Sequence, residues 1–300
     1  MGKIYDAFTR ADVGHETDEG APTQHEEAKR ETRELFGRRD PVMDQFDLPG
    51  YLKDGAAVGR AVEKNGHAPH AAALRPEALT KPGREAELEL SRVDPHLVAF
   101  FETDPRSAEQ YERLSVSLIT AALERPIKRV LIASPEHGDG RTSVTLNLAV
   151  ELARAKQRVL VIECDLFRPS MIRLLGIEAE TGLYETVRET QPVGRALIRV
   201  SRYGFDLLPT CGQVEHSAEL LTSTYFHEQL RALDQDYDFI LFDSPPLLQT
   251  ADAGMLVRIT DATLLVLRPG QTSASVMEQA VAPLNQEHLL GVVFNRVGRP

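Results

Sequence analysis

A glycine-containing turn at residues 134–143, SPEHGDGRTS, has the composition of a loop that could bind phosphate groups. It follows the apolar run Arg129–Ser134 and precedes a segment with helical periodicity. Gly138 and Gly140 permit positive φ angles and a close approach of the backbone to a ligand. The free N–H groups at the start of the following helix favour an anion. The segment therefore predicts an anion-binding turn, although an ordinary glycine-rich turn has the same composition.

The side chains of this turn indicate how a nucleotide and a metal ion could be held. A threonine at the position of Thr142 binds Mg²⁺ in phosphate-binding loops. The residue before it is lysine in such loops, whereas this chain has Arg141. The candidate nucleotide-binding residues of the turn are Gly138, Asp139, Gly140, Arg141, Thr142 and Ser143.

Acidic residues follow two further apolar runs at the positions where strands would end. The run Arg158–Glu163 continues with Cys164 and Asp165, and the run Asp238–Asp243 ends in an aspartate. A carboxylate at the end of a buried strand is costly unless it serves a metal ion or an ordered network. Together with the turn, these acids predict a nucleotide–Mg²⁺ site at the carboxyl edge of a sheet. The alternative is that they cap helices or lie in solvated turns.

The elements that must position these groups alternate between strands and helices. The predicted strands are continuous apolar runs, typical of strands buried on both faces: Arg129–Ser134, Arg158–Glu163, Phe205–Leu208, Asp238–Asp243, Ala262–Leu267 and Leu289–Asn295. The predicted helices lie between them: Thr142–Ala155, Pro169–Leu175, Ser217–Leu233, Ala251–Arg258 and Ser273–Leu284. This alternation predicts an α/β fold with a mostly parallel sheet flanked by helices.

The composition separates an acidic tail from this α/β part. The chain has 300 residues, with 34 Lys+Arg and 45 Asp+Glu, and a net charge of −11. Its first stretch is highly charged and has few long apolar runs, so it cannot bury enough surface to offset chain entropy. We expect residues 1–94 to be a mostly disordered tail with marginal helices at Glu26–Phe36 and Glu85–Arg92, and residues 95–300 to form the domain.

The composition also disfavours several functional classes. The acidic balance argues against a nucleic-acid-binding role and against a polybasic membrane anchor. No run approaches the roughly 20 apolar residues of a membrane-spanning helix, and Cys164 and Cys211 are too few for a disulfide framework, so we expect a cytoplasmic protein.

Within the tail, Met1–Ala11 places Ile4 and Phe8 on one helical face. We expect this short helix to dock on the protein itself or on a partner.

Three segments, Val130–Asn147, Val159–Pro169 and Tyr237–Ala253, together resemble the nucleotide motifs of the bacterial tyrosine kinases of capsule and exopolysaccharide synthesis. This family is a branch of the P-loop ATPases related to MinD and ParA, and the resemblance covers about residues 95–300. It implies that the chain binds ATP and Mg²⁺ and transfers the γ-phosphoryl group of ATP to protein tyrosines. It also implies a membrane polysaccharide co-polymerase as partner, which would recruit the protein to the inner face of the cell membrane.

The resemblance implies roles for individual residues as well. The residues with implied catalytic roles are Arg141, Glu163, Asp165 and Asp243. Glu163 and Asp165 belong to the motif that supplies the base for the tyrosine hydroxyl. Thr142 and Asp243 occupy the positions that hold Mg²⁺, and Asn295 falls where relatives contact the adenine base.

The chain departs from the family pattern at several positions. Arg141 replaces lysine, and the two cations differ in shape and reach. Glu163 replaces an aspartate and is one methylene longer, and Phe167 replaces an arginine. Glu112 and Ser115 stand where relatives have the two arginines that build a ring-shaped oligomer, so we expect any homo-oligomer to differ from that ring. The tyrosine cluster that ends related chains is absent, so we expect no autophosphorylation of such a tail.

Three functional hypotheses remain open from the sequence. The first is an ATP-dependent protein tyrosine kinase that regulates polysaccharide chain length or export. The second is a catalytically weakened nucleotide-binding switch of the same system, which Arg141, Phe167 and the missing tyrosine tail favour. The third is an ATPase of the MinD/ParA type that dimerises on ATP. Glu136 disfavours the third, because it occupies the position of the signature lysine that neutralises phosphate charge.

Overall fold

The computed structural model describes residues 81–101, 104–284 and 287–296. The expected docking helix at Met1–Ala11, the expected helix at Glu26–Phe36 and most of the predicted acidic tail therefore lie outside the described residues. In the part of the chain that is described, no helix is both long enough and apolar enough to cross a membrane.

The described residues contain eight strands: β1 (Arg84–Ala86), β2 (Arg129–Ala133), β3 (Val159–Glu163), β4 (Ile198–Val200), β5 (Phe205–Leu208), β6 (Phe239–Asp243), β7 (Ala262–Leu267) and β8 (Leu289–Phe294). They form one sheet in the spatial order β1-β4-β5-β3-β6-β2-β7-β8. Neighbouring strands are parallel, except that β4 and β5 are antiparallel. The mostly parallel α/β fold predicted from the sequence is therefore confirmed.

Helices lie between most of these strands. The α-helices of the described residues are α1 (Pro105–Glu124), α2 (Arg141–Arg154), α3 (Met171–Leu175), α4 (Leu183–Arg188), α5 (Ser217–Thr222), α6 (Thr224–Asp236), α7 (Ala251–Ile259) and α8 (Ala274–Val281). Short 3₁₀ turns lie at Leu90–Arg92, Val98–Phe100 and Val193–Arg195. The connection from a strand through a helix to the next parallel strand is the arrangement that parallel sheets require.

The central strands are apolar on both faces because helices cover both faces. In β2, Val130 and Ile132 pack in a cluster with residues of α1 and α2, whereas Leu131 and Ala133 pack in a cluster with residues of α5, α6 and α7. Every residue of β3 and of β6 is buried. Burial of this apolar surface, worth about 25 cal/mol per Å², gives the ends of these strands a rigid support.

The N-terminal edge of the sheet differs from the prediction. The sequence predicts a marginal helix at Glu85–Arg92. In the structure, Arg84–Ala86 forms β1 instead and pairs in parallel with β4. The N–H of Gly83 extends this contact by donating to the carbonyl of Gly194 at 2.8 Å. The predicted helix is reduced to the 3₁₀ turn Leu90–Arg92, because pairing with a distant strand overrides a weak local preference. The sheet consequently begins before residue 95.

The six predicted strands are all present, with differences of a few residues at their ends, but some other elements were not predicted. These include β4, α4 and α1. The start of α1 carries a recognisable signal, because the Asp104 side chain accepts from the N–H of Ser107 at 3.3 Å and Pro105 lies in the first turn. The predicted helix Ser217–Leu233 is divided into α5 and α6, because Ser223 has an extended conformation with φ −62° and ψ 129°.

Three adjacent parallel strands, β3, β6 and β2, direct their carboxyl ends to one edge of the sheet. Asp243, the last residue of β6, is in register with Ile132 of β2 and with Glu163, the last residue of β3. The turn after β2 and the acids of β3 and β6 therefore meet at this edge. In open parallel sheets, this is the edge at which ligands bind.

Candidate nucleotide-binding site

The turn between β2 and α2 has the backbone geometry that its glycines permit. Gly138 and Gly140 have φ angles of 89° and 93°, in a region that other residues rarely adopt. Gly140 directly precedes α2, which begins at Arg141. The first N–H groups of a helix have no partner within the helix, so this junction favours an anion.

Thr142, in the first turn of α2, is joined to Asp243 at the end of β6. The Thr142 hydroxyl donates to Oδ2 of Asp243 at 2.7 Å. Asp243 is 1% exposed, and its Oδ1 has no hydrogen-bond partner among the described residues. Burial raises the pKa of Asp243 to about 7, and the charge of Arg141 and the Thr142 hydrogen bond oppose this rise.

The Thr142–Asp243 pair fits a magnesium ion. A buried carboxylate oxygen without a partner is costly unless a cation or water satisfies it. No group of three or more His, Cys, Asp or Glu is placed to hold a metal ion in the described ranges. A nucleotide-bound Mg²⁺ does not require such a group, because it takes one or two protein ligands together with substrate phosphates and water.

The Arg141 guanidinium is engaged with acceptors of the protein. It donates to the carbonyl of Ser244 at 2.8 Å, to the carbonyl of Glu136 at 2.9 Å and to the hydroxyl of Ser134 at 2.5 Å. It also forms an ion pair with Asp165 at 3.2 Å, and the Arg141 side chain is only 6% exposed. The guanidinium therefore joins the turn after β2 to the chain segments that follow β3 and β6.

Asp165 has hydrogen bonds on both of its carboxylate oxygens. Oδ2 accepts from Arg141 at 3.2 Å, and Oδ1 accepts from the backbone N–H of Arg168 at 3.0 Å. Burial raises the pKa of this carboxyl, while the Arg141 charge and the Arg168 N–H oppose the rise. A carboxylate with a raised pKa is a better proton acceptor near neutral pH than an ordinary aspartate.

Glu163 uses its carboxylate to hold the backbone. The side chain is fully buried, and Oε1 accepts from the N–H groups of Ser170 and Met171 at 2.5 and 2.8 Å. Oε2 accepts from the N–H of Thr210 at 3.0 Å. These bonds anchor the start of α3 and the chain after β5. Because the backbone uses both oxygens, the geometry assigns Glu163 an anchoring role that differs from the catalytic role implied by the resemblance.

We expect Glu163 to make the stability of the fold depend on pH. Burial raises its pKa from 4.5 to about 7, although the backbone N–H groups oppose the shift. The folded state therefore holds a proton that the unfolded state releases, and this contribution to stability is lost as the pH rises through 7. When the pH is raised from about 5 to about 8, the free energy of unfolding of the wild type should fall by about 2–3 kcal/mol more than that of the Glu163→Gln variant. Urea denaturation at both pH values measures the difference, and equal losses in the two proteins would contradict it.

Asn295, which follows β8, lies against the turn. Its Nδ2 donates to the carbonyl of Asp139 at 2.8 Å, and its Oδ1 accepts from the N–H of Arg296 at 2.9 Å. A Cβ added to Gly140 would lie 2.0 Å from Asn295 Nδ2. Asn295, which the resemblance places at the adenine base, therefore braces the turn in this structure.

Three further residues, which the sequence analysis did not select, hold this loop. Ser134 and Ser244 supply oxygens to the guanidinium described above. Asn147, on α2, donates from Nδ2 to the carbonyl of Ser143 at 2.8 Å and accepts at Oδ1 from the N–H of Ala99 at 2.8 Å. The two serines directly follow buried apolar strands, a position that could have marked them, whereas no sequence pattern marks Asn147.

The structure brings most of the predicted site residues to one place. The residues that lie in the turn or at the start of α2 are Gly138, Asp139, Gly140, Arg141, Thr142 and Ser143. Asp139 is buried within the turn, where its Oδ2 accepts from the N–H of Glu136 at 3.3 Å. Burial raises the pKa of this aspartate. Contacts with the turn or with α2 also bring Asp165, Asp243 and Asn295 to this place.

Comparison with known proteins identifies the family of this chain. Residues 127–287 match the family model described as an AAA domain. The chain is 29% identical over 208 residues to the tyrosine-protein kinase YwqD of Bacillus subtilis (strain 168), a match that covers 68% of this chain and 87% of the relative. This chain belongs to the bacterial tyrosine kinase (BY-kinase) family. The family predicted from the sequence, a P-loop ATPase family related to MinD, is thereby confirmed.

Two further matches show how much of a BY-kinase the chain represents. It is 28% identical over 194 residues to the tyrosine-protein kinase Wzc of Salmonella typhi, which is 64% of this chain but only 27% of that relative. The solved kinase domain of the Escherichia coli tyrosine kinase ETK superposes with a TM-score of 0.63 at 24% identity, and the match covers 76% of this chain and 97% of that domain. The fold is therefore that of a BY-kinase domain.

Proposed function

We propose that this BY-kinase family member binds Mg-ATP at the turn after β2 and transfers the γ-phosphoryl group to a protein tyrosine. The observation that carries the proposal is the Thr142 hydroxyl at 2.7 Å from Asp243, whose second carboxylate oxygen is buried and, within the described ranges, lacks a partner. This pair lies beside a helix start and a turn with two glycines of positive φ. Such a turn presents backbone N–H groups to phosphate oxygens.

The residues of the chain have separate tasks in this proposal. Thr142 and Asp243 would hold Mg²⁺, which when bound neutralises charge on the β- and γ-phosphates. The N–H groups of the turn would orient the phosphates for in-line transfer. Asp165 would accept the proton of the tyrosine hydroxyl, because its raised pKa suits proton transfer. Its hydrogen bond with Arg141 places it beside the turn. Glu163 would act indirectly, by anchoring the segment that follows β3.

The cellular role follows from the family and is part of the proposal. A tyrosine kinase of this family would act in the cytoplasm, at the inner face of the membrane, with a membrane polysaccharide co-polymerase that regulates exopolysaccharide or capsule chain length. Any homo-oligomer of this chain would differ from the ring assembly of relatives. On α1, Glu112 is exposed and Ser115 is buried with its hydroxyl on the Glu112 carbonyl, so neither position offers the cation that the ring uses.

A second candidate function is a nucleotide-binding switch with little or no turnover. The engagement of Arg141 with Ser134, Glu136, Ser244 and Asp165 favours it. A loop cation that is bound to protein acceptors cannot stabilise transferring phosphoryl groups unless those bonds break. Such a protein would change the polysaccharide assembly through its nucleotide-bound state alone.

One set of measurements on the purified 300-residue chain distinguishes the two candidates. Calorimetry gives the affinity for Mg-ATP, and labelled ATP with the cytoplasmic tail of the co-polymerase reports hydrolysis and phosphotyrosine, with an active relative as control. A kinase produces phosphotyrosine on the tail, whereas a switch binds Mg-ATP without turnover. The absence of Mg-ATP binding would contradict both.

Arg141→Lys completes this comparison, because it restores the residue that phosphate-binding loops usually carry. If the arginine only damps a working site, the variant should raise the turnover of ATP by about tenfold or more. An unchanged rate in a protein that still binds Mg-ATP would show that the arginine is already functional or that another departure from the family pattern limits turnover.

A further inference from the structure

Two arginines lie close to the turn, and among the described residues their side chains differ in their partners. Arg141 begins the helix after the turn, and the backbone N–H of Arg168 donates to Asp165, the ion-pair partner of Arg141. Burial has the larger effect in lowering the pKa of His137 in the turn, and the charges of both arginines lower it further. The Arg141 side chain is 6% exposed and is paired with Asp165. Arg168 is exposed, and its side chain makes no hydrogen bond or ion pair among the described residues.

Arg141 could reach a phosphate only at a considerable cost. Its guanidinium would have to leave four acceptors, and the departure would leave the buried carboxylate of Asp165 without its cation. Removing one partner of a buried ion pair is strongly destabilising, since it leaves an uncompensated charge. Arg141 is therefore poorly placed to serve as the cation of the phosphate loop.

Arg168 has the opposite properties. Its backbone N–H donates to Oδ1 of Asp165 at 3.0 Å, so the start of the side chain is fixed beside the Arg141–Asp165 pair. The residue is exposed, and because its guanidinium has no hydrogen-bond or ion-pair partner in the part of the chain that the structure describes, its donors are available to a ligand. A planar guanidinium binds phosphate oxygens through two parallel N–H bonds.

The charge at this edge of the sheet favours such a cation once a nucleotide is bound. Asp165 and Asp243 are buried beside the turn, and Asp139 lies within it. A nucleotide adds further negative charge to this low-dielectric place, where like charges repel strongly. Mg²⁺ at Thr142 and Asp243 would offset part of that charge, and a guanidinium would offset more.

We propose that Arg168 contacts the β- and γ-phosphates of a bound nucleotide, while Arg141 holds the turn in place. This inference rests on the proposed nucleotide binding and names the cation that recognises the phosphates. Arg168 thus takes the role that lysine has in other phosphate-binding loops. It lies after β3, whereas the lysine of such loops lies in the turn that here follows β2.

Calorimetry with Mg-ATP, Mg-ADP and AMP tests the assignment on the full chain. Arg168→Gln should weaken the binding of Mg-ATP and Mg-ADP by about tenfold or more, because a charge-assisted hydrogen bond is lost, and should leave AMP within about twofold. Arg231→Gln is the matched control, since Arg231 is an exposed arginine on α6, away from the turn. This control should bind all three nucleotides as the wild type does.

The other outcomes separate this inference from the proposed function. If Arg168→Gln binds Mg-ADP as tightly as Arg231→Gln does, the assignment is overturned. It is equally overturned if Arg141→Gln, with an unchanged melting temperature, loses Mg-ADP selectively while Arg168→Gln does not. A wild type that binds none of the three nucleotides would overturn the proposed function and this assignment together, whereas a wild type that binds Mg-ADP but makes no phosphotyrosine would leave the assignment standing.

Discussion

Replacing Asp243 with asparagine should abolish the effect of Mg²⁺ on ATP binding and lower any ATP turnover by about 100-fold or more. The physical reason lies in the two oxygens of this carboxylate. Oδ2 accepts from the Thr142 hydroxyl, a bond that an asparagine carbonyl can still accept. Oδ1 is buried and unpartnered among the described residues, and the amide removes the negative charge that makes it suited to a cation. The fold should survive, because the substitution keeps the shape of the side chain.

The measurement compares the Kd of ATP with and without Mg²⁺ in Asp243→Asn and in a matched aspartate variant. Asp238→Asn is suitable, since Asp238 directly precedes the same strand at its opposite end and pairs with Arg158 at 2.7 Å on the surface. That control should keep the Mg²⁺ effect. A full Mg²⁺ effect in Asp243→Asn would contradict the assignment of the metal site.

The central sheet and the edge that carries the site were predictable because their determinants are local. The runs that form β2, β3 and β6 are apolar throughout, which is the pattern of strands covered on both faces. A parallel arrangement then aligns the carboxyl ends of neighbouring strands. Thr142 and Asp243, which are 101 residues apart in the chain, are therefore expected to lie close together on this basis alone.

The individual contacts of Arg141 and Glu163 were not predictable, because their partners lie far along the chain. The acceptors of Arg141 include Ser244 and Asp165, and the donors to Glu163 include Thr210. Residue type and spacing show that a cation and a carboxylate occur near the edge of the sheet. They do not show which of these side chains form hydrogen bonds with other groups of the protein and which remain available to a ligand.

The same distinction explains the errors at the N-terminal edge of the sheet. Arg84–Ala86 is polar at two of its three positions and exposed on those residues, so its own sequence does not read as a strand. Its strand conformation depends on β4, which is itself a short strand that pairs antiparallel with β5. In contrast, the start of α1 had a local signal in Asp104 and Pro105. Helix α1 was nevertheless not predicted from the sequence, whereas β1 has no local pattern of its own and depends on pairing with β4.

The second large effect should come from Gly140→Ala, which we expect to weaken Mg-ATP binding by about 100-fold. Gly140 has a φ of 93°, and its added Cβ would lie 2.0 Å from Nδ2 of Asn295. The alanine must therefore displace Asn295 and break its bond to the Asp139 carbonyl, in addition to adopting a strained backbone. Both changes move the turn whose N–H groups would bind the phosphates.

Gly138→Ala separates these two causes, because Gly138 lies in the same turn with a φ of 89° but a Cβ there would meet no atom within 4 Å. It carries only the backbone strain, about 1–2 kcal/mol, and should weaken Mg-ATP binding by about tenfold. Adding Asn295→Ala to Gly140→Ala removes the side chain that the new methyl group meets. The double variant should therefore lose less affinity than the two single variants together predict. Strictly additive losses, or equal losses at Gly138 and Gly140, would show that Asn295 does not brace the loop.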